Sequence, residues 1–203
     1  IGGSGWSDVA CSKFHKFINE NNIPIATSFR RQDLFDHKNE NFAGSFGTSV
    51  SPKLIDSTKN SDLIIVLGAR LGEMTTQGYS IISPQDISKN IMHIHVDPNE
   101  LNKVFNANVC INVGVNECCD KLEELTLDNS NRWKEWRNEL NKNYLEDSKP
   151  QKNRNVNNLS KIFEIVEKKF PTNSIITLDA GNNAAWPQRF LSFGRTRRQI
   201  PTT

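Results

Sequence analysis

The sequence holds no long apolar run. Its longest, residues 63–67, falls far short of the roughly 20 residues that cross a membrane, so no membrane-spanning helix is expected. It has no CxxC pair either. Cys11, Cys110, Cys118 and Cys119 match neither zinc-ligand spacing nor a disulfide framework, and reduced thiols of a cytoplasmic protein are the expectation. No basic segment followed by an apolar one stands at the start, so no signal peptide is expected. The chain opens on Ile1, read as the last residue of a truncated strand, and runs at once into glycines. There is no internal repeat. With 36% hydrophobic and 24% charged residues over 203 positions, collagenous, mucin-like and disulfide-scaffold classes are excluded and a globular chain remains.

The small net charge of +2 conceals an asymmetry. Residues 1–127 carry 11 basic and 15 acidic groups, and residues 128–203 carry 14 and 8. Arg195, Arg197 and Arg198 contribute to the basic excess. A nucleic-acid patch is one reading of them, and a solvated segment or inter-domain contact is the favoured one.

Apolar spacing organises the chain. Residues 8–21 carry Val9, Phe14, Phe17 and Ile18 at helical intervals. Residues 23–27 form a short apolar run, 28–50 are loop-like, and Ser51-Pro52 opens a helix to about Asn60. Residues 63–67, 91–96 and 109–113 are further strands, and a helix follows Gly114 to about Leu125. Continuous apolar strands alternating with helices predict a Rossmann-like parallel sheet with helices on both faces, an α/β fold. Three regions follow: a central domain over 1–127, a linker with an amphipathic helix over 128–154, and the start of a second α/β domain over 155–203. In the linker, Trp133, Trp136, Leu140 and Tyr144 share one helical face, which predicts docking on the protein itself rather than RNA stacking. In the last region a helical stripe runs from Val156 to Phe170, residues 174–178 form a strand, and residues 184–190 a helix.

In parallel sheets ligands sit beyond the carboxyl ends of the strands. Those ends read Gly2-Gly3-Ser4-Gly5, Ser28-Phe29-Arg30-Arg31, Gly68-Ala69-Arg70 and Asp97-Pro98-Asn99, a set suited to a phosphate-bearing ligand. The first glycines can bring backbone amides close to an anion, although they are not the GxGxxG fingerprint, because the sixth position from Gly2 is Ser7. Arg70 is a candidate phosphate partner and Asp97 a ribose or base partner, or a cap for the turn before Pro98. Gly181-Asn182 follows a strand and can meet a diphosphate, or form an Asx turn. His93 and His95 alternate on one strand with no third ligand in view, which favours packing over a metal. Neither Ser4 nor Ser45 completes G-x-S-x-G, and no residue forms a convincing catalytic centre.

Together the segments resemble a known family. Gly-Gly-Ser-Gly, then FAGSFGT (42–48), SDLIIVLGAR (61–70) and HVDPNEL (95–101), is similar to the central domain of thiamine diphosphate (ThDP)-dependent enzymes, the acetolactate synthase branch above all. IITLDAGNNAAWPQRF (175–190) resembles the opening of their diphosphate-binding domain. The resemblance implies decarboxylation and carboligation of 2-keto acids, as in branched-chain amino acid biosynthesis, with ThDP and Mg²⁺. It also implies FAD or another adenine nucleotide in the central domain, and a full-length homodimer or homotetramer. Nucleic acid and membrane are not expected partners. Carried over by position, Gly181, Asn182 and Asn183 match the loop at the ThDP diphosphate. Gly2, Gly3, Gly68, Ala69, Arg70 and Asp97 match positions around the central nucleotide. Leu71-Gly72-Glu73-Met74 and Gly44-Ser45-Phe46-Gly47 depart from the synthase pattern. The resemblance supplies neither a catalytic residue nor a metal ligand within these 203 positions, so the fragment alone is expected to be inactive. A decarboxylase or lyase of the benzoylformate or oxalyl-CoA type, and a non-catalytic nucleotide-binding module, are the alternative readings.

Overall fold

The computed structural model describes residues 1–85, 89–150 and 158–201. It contains seven α-helices and seven strands, and every strand pair is parallel. Helix α1 (Asp8–Asn21) starts where the Ser7 side chain accepts the Ala10 N–H and stops at Asn22, which turns left-handed at φ 53°. Ala10, Cys11, Phe14, Phe17 and Ile18 form its buried stripe. Val9, read as part of that stripe, is 63% exposed instead. At 3.6 residues per turn the inward arc passes through Ala10 and Cys11.

Strand β1 (Ile25–Thr27) pairs with β2 (Phe42–Ser45). The second strand lies inside the segment read as loop. Ala43 and Gly44 give it little strand signal of its own, and the pairing with β1 makes it a strand. Helix α2 (Pro52–Asn60) begins at the expected proline, although the Ser51 side chain makes no cap bond. Strands β3 (Leu63–Leu67), β4 (Asn90–His95) and β5 (Val109–Asn112) form a second sheet in that order. A one-turn helix α3 (Glu73–Thr76), absent from the sequence reading, follows β3, and α4 (Val115–Glu123) follows β5.

Ile1 and Gly2 join the two sheets. The Ile1 nitrogen donates to the Ala26 carbonyl (2.8 Å), the Ile1 carbonyl accepts from Ser28 (2.8 Å), and Gly2 donates to Leu67 (3.0 Å). The expected strand end at Ile1 therefore lies between β1 and β3. Helices α1 and α4 pack together over one face, around Phe14, Phe17, Ile18, Leu67 and Cys119. Helices α2 and α5 (Lys134–Asp147) cover β2 on the other, around Ala43, Leu54 and Leu140.

Helix α5 docks on the rest of the chain through part of the expected face; Trp136 on that face is 38% exposed, and Trp133 precedes the helix as its N-cap. Leu140 is buried, Trp133 donates its indole N–H to the Asn21 carbonyl (2.7 Å), and the Tyr144 hydroxyl meets His37 Nδ1 (3.3 Å). Residues 151–157, inside the segment read as linker, lie outside the described residues. Helix α6 (Leu159–Lys169), β6 (Ile175–Leu178), α7 (Ala185–Phe190) and β7 (Arg198–Pro201) complete the chain. Strand β7 had no sequence signal; its pairing with β6 defines it.

The three tail arginines do not form one exposed basic face. Arg195 pairs with Asp8, Arg197 with Glu167 and Arg198 with Asp33, and Arg197 is 4% exposed. Two of the three pairs reach back to Asp8 and Asp33 in the amino-terminal part of the chain, so these arginines are held by contacts within the chain.

His37 is enclosed under this contact, stacked on Phe42 and edge-on to Phe193. Its Nε2–H donates to the Gln32 carbonyl (2.9 Å), and Nδ1 accepts from Tyr144. Burial pushes its pKa from 6.5 down to about 3. The unfolded chain therefore binds a proton that the folded one refuses between those values. The stability from neutral His37 is complete above pH 6.5 and declines as pH falls toward 3. At pH 5 the loss is about 2 kcal/mol. Urea denaturation at pH 7 and pH 5 measures it, and His37→Asn is expected to flatten that part of the pH slope.

Candidate functional site

The carboxyl ends of β1, β3, β4 and β5 open into one crevice of about 1030 Å³. Its floor is glycine. Gly3 (φ +74°) and Gly68 (φ +69°) pass so closely that a Cβ on Gly3 would stand 1.9 Å from the Gly68 carbonyl oxygen. Gly5 (φ +86°) faces open space, so its peptide is accessible from the crevice side. Asn116, in the first turn of α4, clips this loop: its Nδ2 donates to the Gly5 carbonyl (3.0 Å) and its Oδ1 accepts from Ser7 (3.0 Å).

The rim is charged. Arg30, Arg31 and Arg70 line the crevice, and none has a carboxylate within 4 Å among the described residues. Arg30 takes a left-handed backbone (φ 61°) and its guanidinium lies 5.0 Å from the Phe29 ring centroid. A non-glycine residue in that conformation is strained, as is common where a side chain is held for a ligand. Lys103 also lines the site but is tied to Glu100 (2.9 Å). That contact holds the Glu100 carboxyl below its ordinary range.

The positions singled out in the sequence divide. Gly3, Gly68 and Arg70 line the crevice. Gly2 and Ala69 stand behind it, where a Cβ on Gly2 would lie 2.0 Å from Ser28 Oγ and 2.9 Å from the Ala69 Cβ. Asp97 is turned to its own loop: its Oδ1 accepts from the Asn99 backbone (2.9 Å) and side chain (3.0 Å). Those bonds hold its carboxyl below the ordinary range. This is the turn cap that the sequence offered as the other reading. His93 buries its ring and donates Nε2–H to the Ala69 carbonyl (3.0 Å), which commits that nitrogen to packing. Among the described residues no group of three metal-ligating side chains converges.

Gly181, Asn182 and Asn183 form a separate place at the end of β6. Gly181 turns at φ +133°, and the next three residues make a single 3-10 turn. Both asparagine side chains are exposed, and no hydrogen bond engages them among the described residues. The loop thus offers free amide donors and acceptors beyond a strand end, a donor set that suits a diphosphate. Sequence reasoning missed Asn116, which lies more than 100 positions from its partners. Arg30 and Arg31 were visible only as part of a strand-end loop.

The class is therefore a Rossmann-like α/β domain whose crevice sits beyond the carboxyl ends of parallel strands. Comparison with known proteins makes it specific. A family model for the thiamine pyrophosphate enzyme central domain matches residues 1–122, and the chain belongs to that family. It is 26% identical over 178 residues to a probable acetolactate synthase large subunit of Methanocaldococcus jannaschii, covering 83% of this chain and 29% of that protein. It is 23% identical to the acetolactate synthase large subunit of Buchnera aphidicola over 98% of this chain and 35% of the relative. To the one from Corynebacterium glutamicum it is 25% identical over 62% of this chain and 20% of the relative. The chain thus spans about a third or less of the length of these relatives.

Proposed function

We propose that the chain is the central domain, with the opening of the diphosphate-binding domain, of an acetolactate synthase-like enzyme that uses ThDP and Mg²⁺ on 2-keto acids. The crevice carries the reading: a glycine floor, an accessible Gly5 peptide and three unpaired arginines suit the phosphates of FAD or another adenine nucleotide. Arg70 and Arg30 hold the phosphate charge from opposite strand ends, and Gly3 and Gly68 let the backbone approach. Asn182 and Asn183 contribute hydrogen bonds to the ThDP diphosphate. ThDP, when bound, supplies the electron sink for decarboxylation. This chain's residues bind and orient, and the isolated chain is inactive. The whole protein is cytoplasmic and assembles as a dimer or tetramer.

Calorimetric titration with FAD, ADP and NAD tests the crevice. Saturable FAD binding is expected, and Arg70→Ala is expected to weaken it about tenfold, the loss of one charge-assisted contact. Binding of ADP or NAD alone would transfer the reading to the decarboxylase or lyase branch. No binding of any of the three would overturn it. Turnover of a 2-keto acid by the isolated chain with ThDP and Mg²⁺ would refute the assignment of inactivity.

A further inference from the structure

The crevice changes character along β4. Gly68 donates its N–H to the Ile94 carbonyl (2.9 Å), so His95 stands beside the glycine floor, one strand spacing of about 4.8 Å across the sheet. In dinucleotide-binding crevices the end of a strand near the phosphate-binding glycines carries a carboxylate, which accepts hydrogen bonds from the ribose hydroxyls. Here that place holds a half-buried histidine that lines the crevice. Two carboxylates follow it and neither is free. Asp97 accepts from the Asn99 backbone and side chain, and Glu100 is paired with Lys103 Nζ (2.9 Å). The donors are free instead. His95 Nδ1 accepts the Asp97 N–H (3.1 Å), which places the ring proton on Nε2, and no hydrogen bond engages Nε2 among the described residues. The Lys103 ammonium has N–H groups to spare beyond the one that Glu100 accepts. Past these donors, Tyr79, Val96 and Val104 give the crevice an apolar wall.

We propose that the β4 end of the crevice is a ribose-phosphate subsite: it takes an adenine nucleotide whose ribose carries a phosphate monoester, gripped by His95 Nε2–H and the Lys103 ammonium. The proposal rests on the reading of the crevice as a nucleotide site and narrows the nucleotide. With the diphosphate over Gly3 and Gly68, the ribose is the next unit along. It lies over β4, because the apolar wall suited to adenine is on that side. A plain ribose diol there meets donors but no free carboxylate to accept from its hydroxyls. A phosphate monoester carries close to two negative charges and offers oxygens as acceptors, so it matches a cationic donor set. His95 and Lys103 thus determine specificity, while the diphosphate grip is common to adenine dinucleotides. FAD, whose ribose is unphosphorylated, binds without using this subsite.

The test uses two pairs of nucleotides that keep the diphosphate and differ by one phosphate. NADP against NAD probes the 2′ position, and coenzyme A against dephospho-coenzyme A probes the 3′ position, with FAD titrated alongside. Calorimetric titration is expected to give a dissociation constant about tenfold or more lower for the phosphorylated member of at least one pair, the gain from charge-assisted contacts. The pair that shows the gain identifies the position. His95→Asp is expected to remove or reverse the preference, because a carboxylate accepts from the hydroxyl and repels the phosphate. The urea midpoint reports whether that variant is folded, and the wild-type ratios decide the outcome even if it is not. Equal affinities within both pairs, a preference unchanged in folded His95→Asp, or binding of FAD alone would overturn the proposal and leave the nucleotide reading standing. Binding of none of the five nucleotides would overturn both.

Discussion

Replacing Gly3 by alanine is expected to destabilise the protein by about 3 kcal/mol or more, read as a drop in the urea midpoint at unchanged slope. Two effects add at this position. The backbone is left-handed at φ +74°, and the new Cβ would stand 1.9 Å from the Gly68 carbonyl oxygen, which cannot rotate away. Relief requires the loop and β3 to separate, and that breaks the Gly2 to Leu67 hydrogen bond between the sheets. Gly5→Ala is the informative contrast. Its φ is +86°, but nothing lies within 4 Å of the added Cβ. Only the conformational strain, about 1 kcal/mol, is expected there. Nucleotide binding should fall in both variants if the loop holds a phosphate, whereas stability separates them.

The second large effect is at Asp33. This carboxylate is 1% exposed and receives the Arg198 guanidinium, while its Oδ1 has no hydrogen-bond partner among the described residues. Arg198→Ala leaves a buried charge uncompensated and is expected to destabilise by about 3 kcal/mol, at the low end for buried pairs because Arg198 is itself 37% exposed. Adding Asp33→Asn removes the stranded charge and is expected to restore part of the loss. Denaturation of the two single variants and the double variant measures that coupling. If the double variant is no better than Arg198→Ala alone, the pair is packing rather than electrostatics. The same contact ties β7 to Asp33, so proteolysis after residue 190 should accelerate in Arg198→Ala.

The family is legible in the order of short segments rather than in any one of them. Phe42–Ser45 and Leu63–Leu67 both became strands, and Gly68 and Arg70 became part of a crevice edge, with Ala69 behind it. Asp97, which the same order matches to a position around the nucleotide, accepts hydrogen bonds from Asn99 in its own turn. A carboxylate at a strand end can cap its turn or meet a ligand, and the spacing to Pro98 is the same in both cases.

Local interactions determined what the sequence alone could give. The Ser7 cap, the stripe from Phe14 to Ile18, Pro52 at a first helical turn and the apolar run of Leu63–Leu67 act within a few residues, so they specify helices and strands without the rest of the chain. Parallel pairing followed, because such strands need two covered faces. The tertiary structure decided the remainder. It made strands of Phe42–Ser45 and Arg198–Pro201, which are weak until a partner strand supplies the ladder. It assembled Gly5 with Asn116, Asp33 with Arg198 and His37 with Tyr144 across separations of 107 residues or more. Such contacts arise from closure of the sheet and docking of the helices, and no spacing along the chain records them.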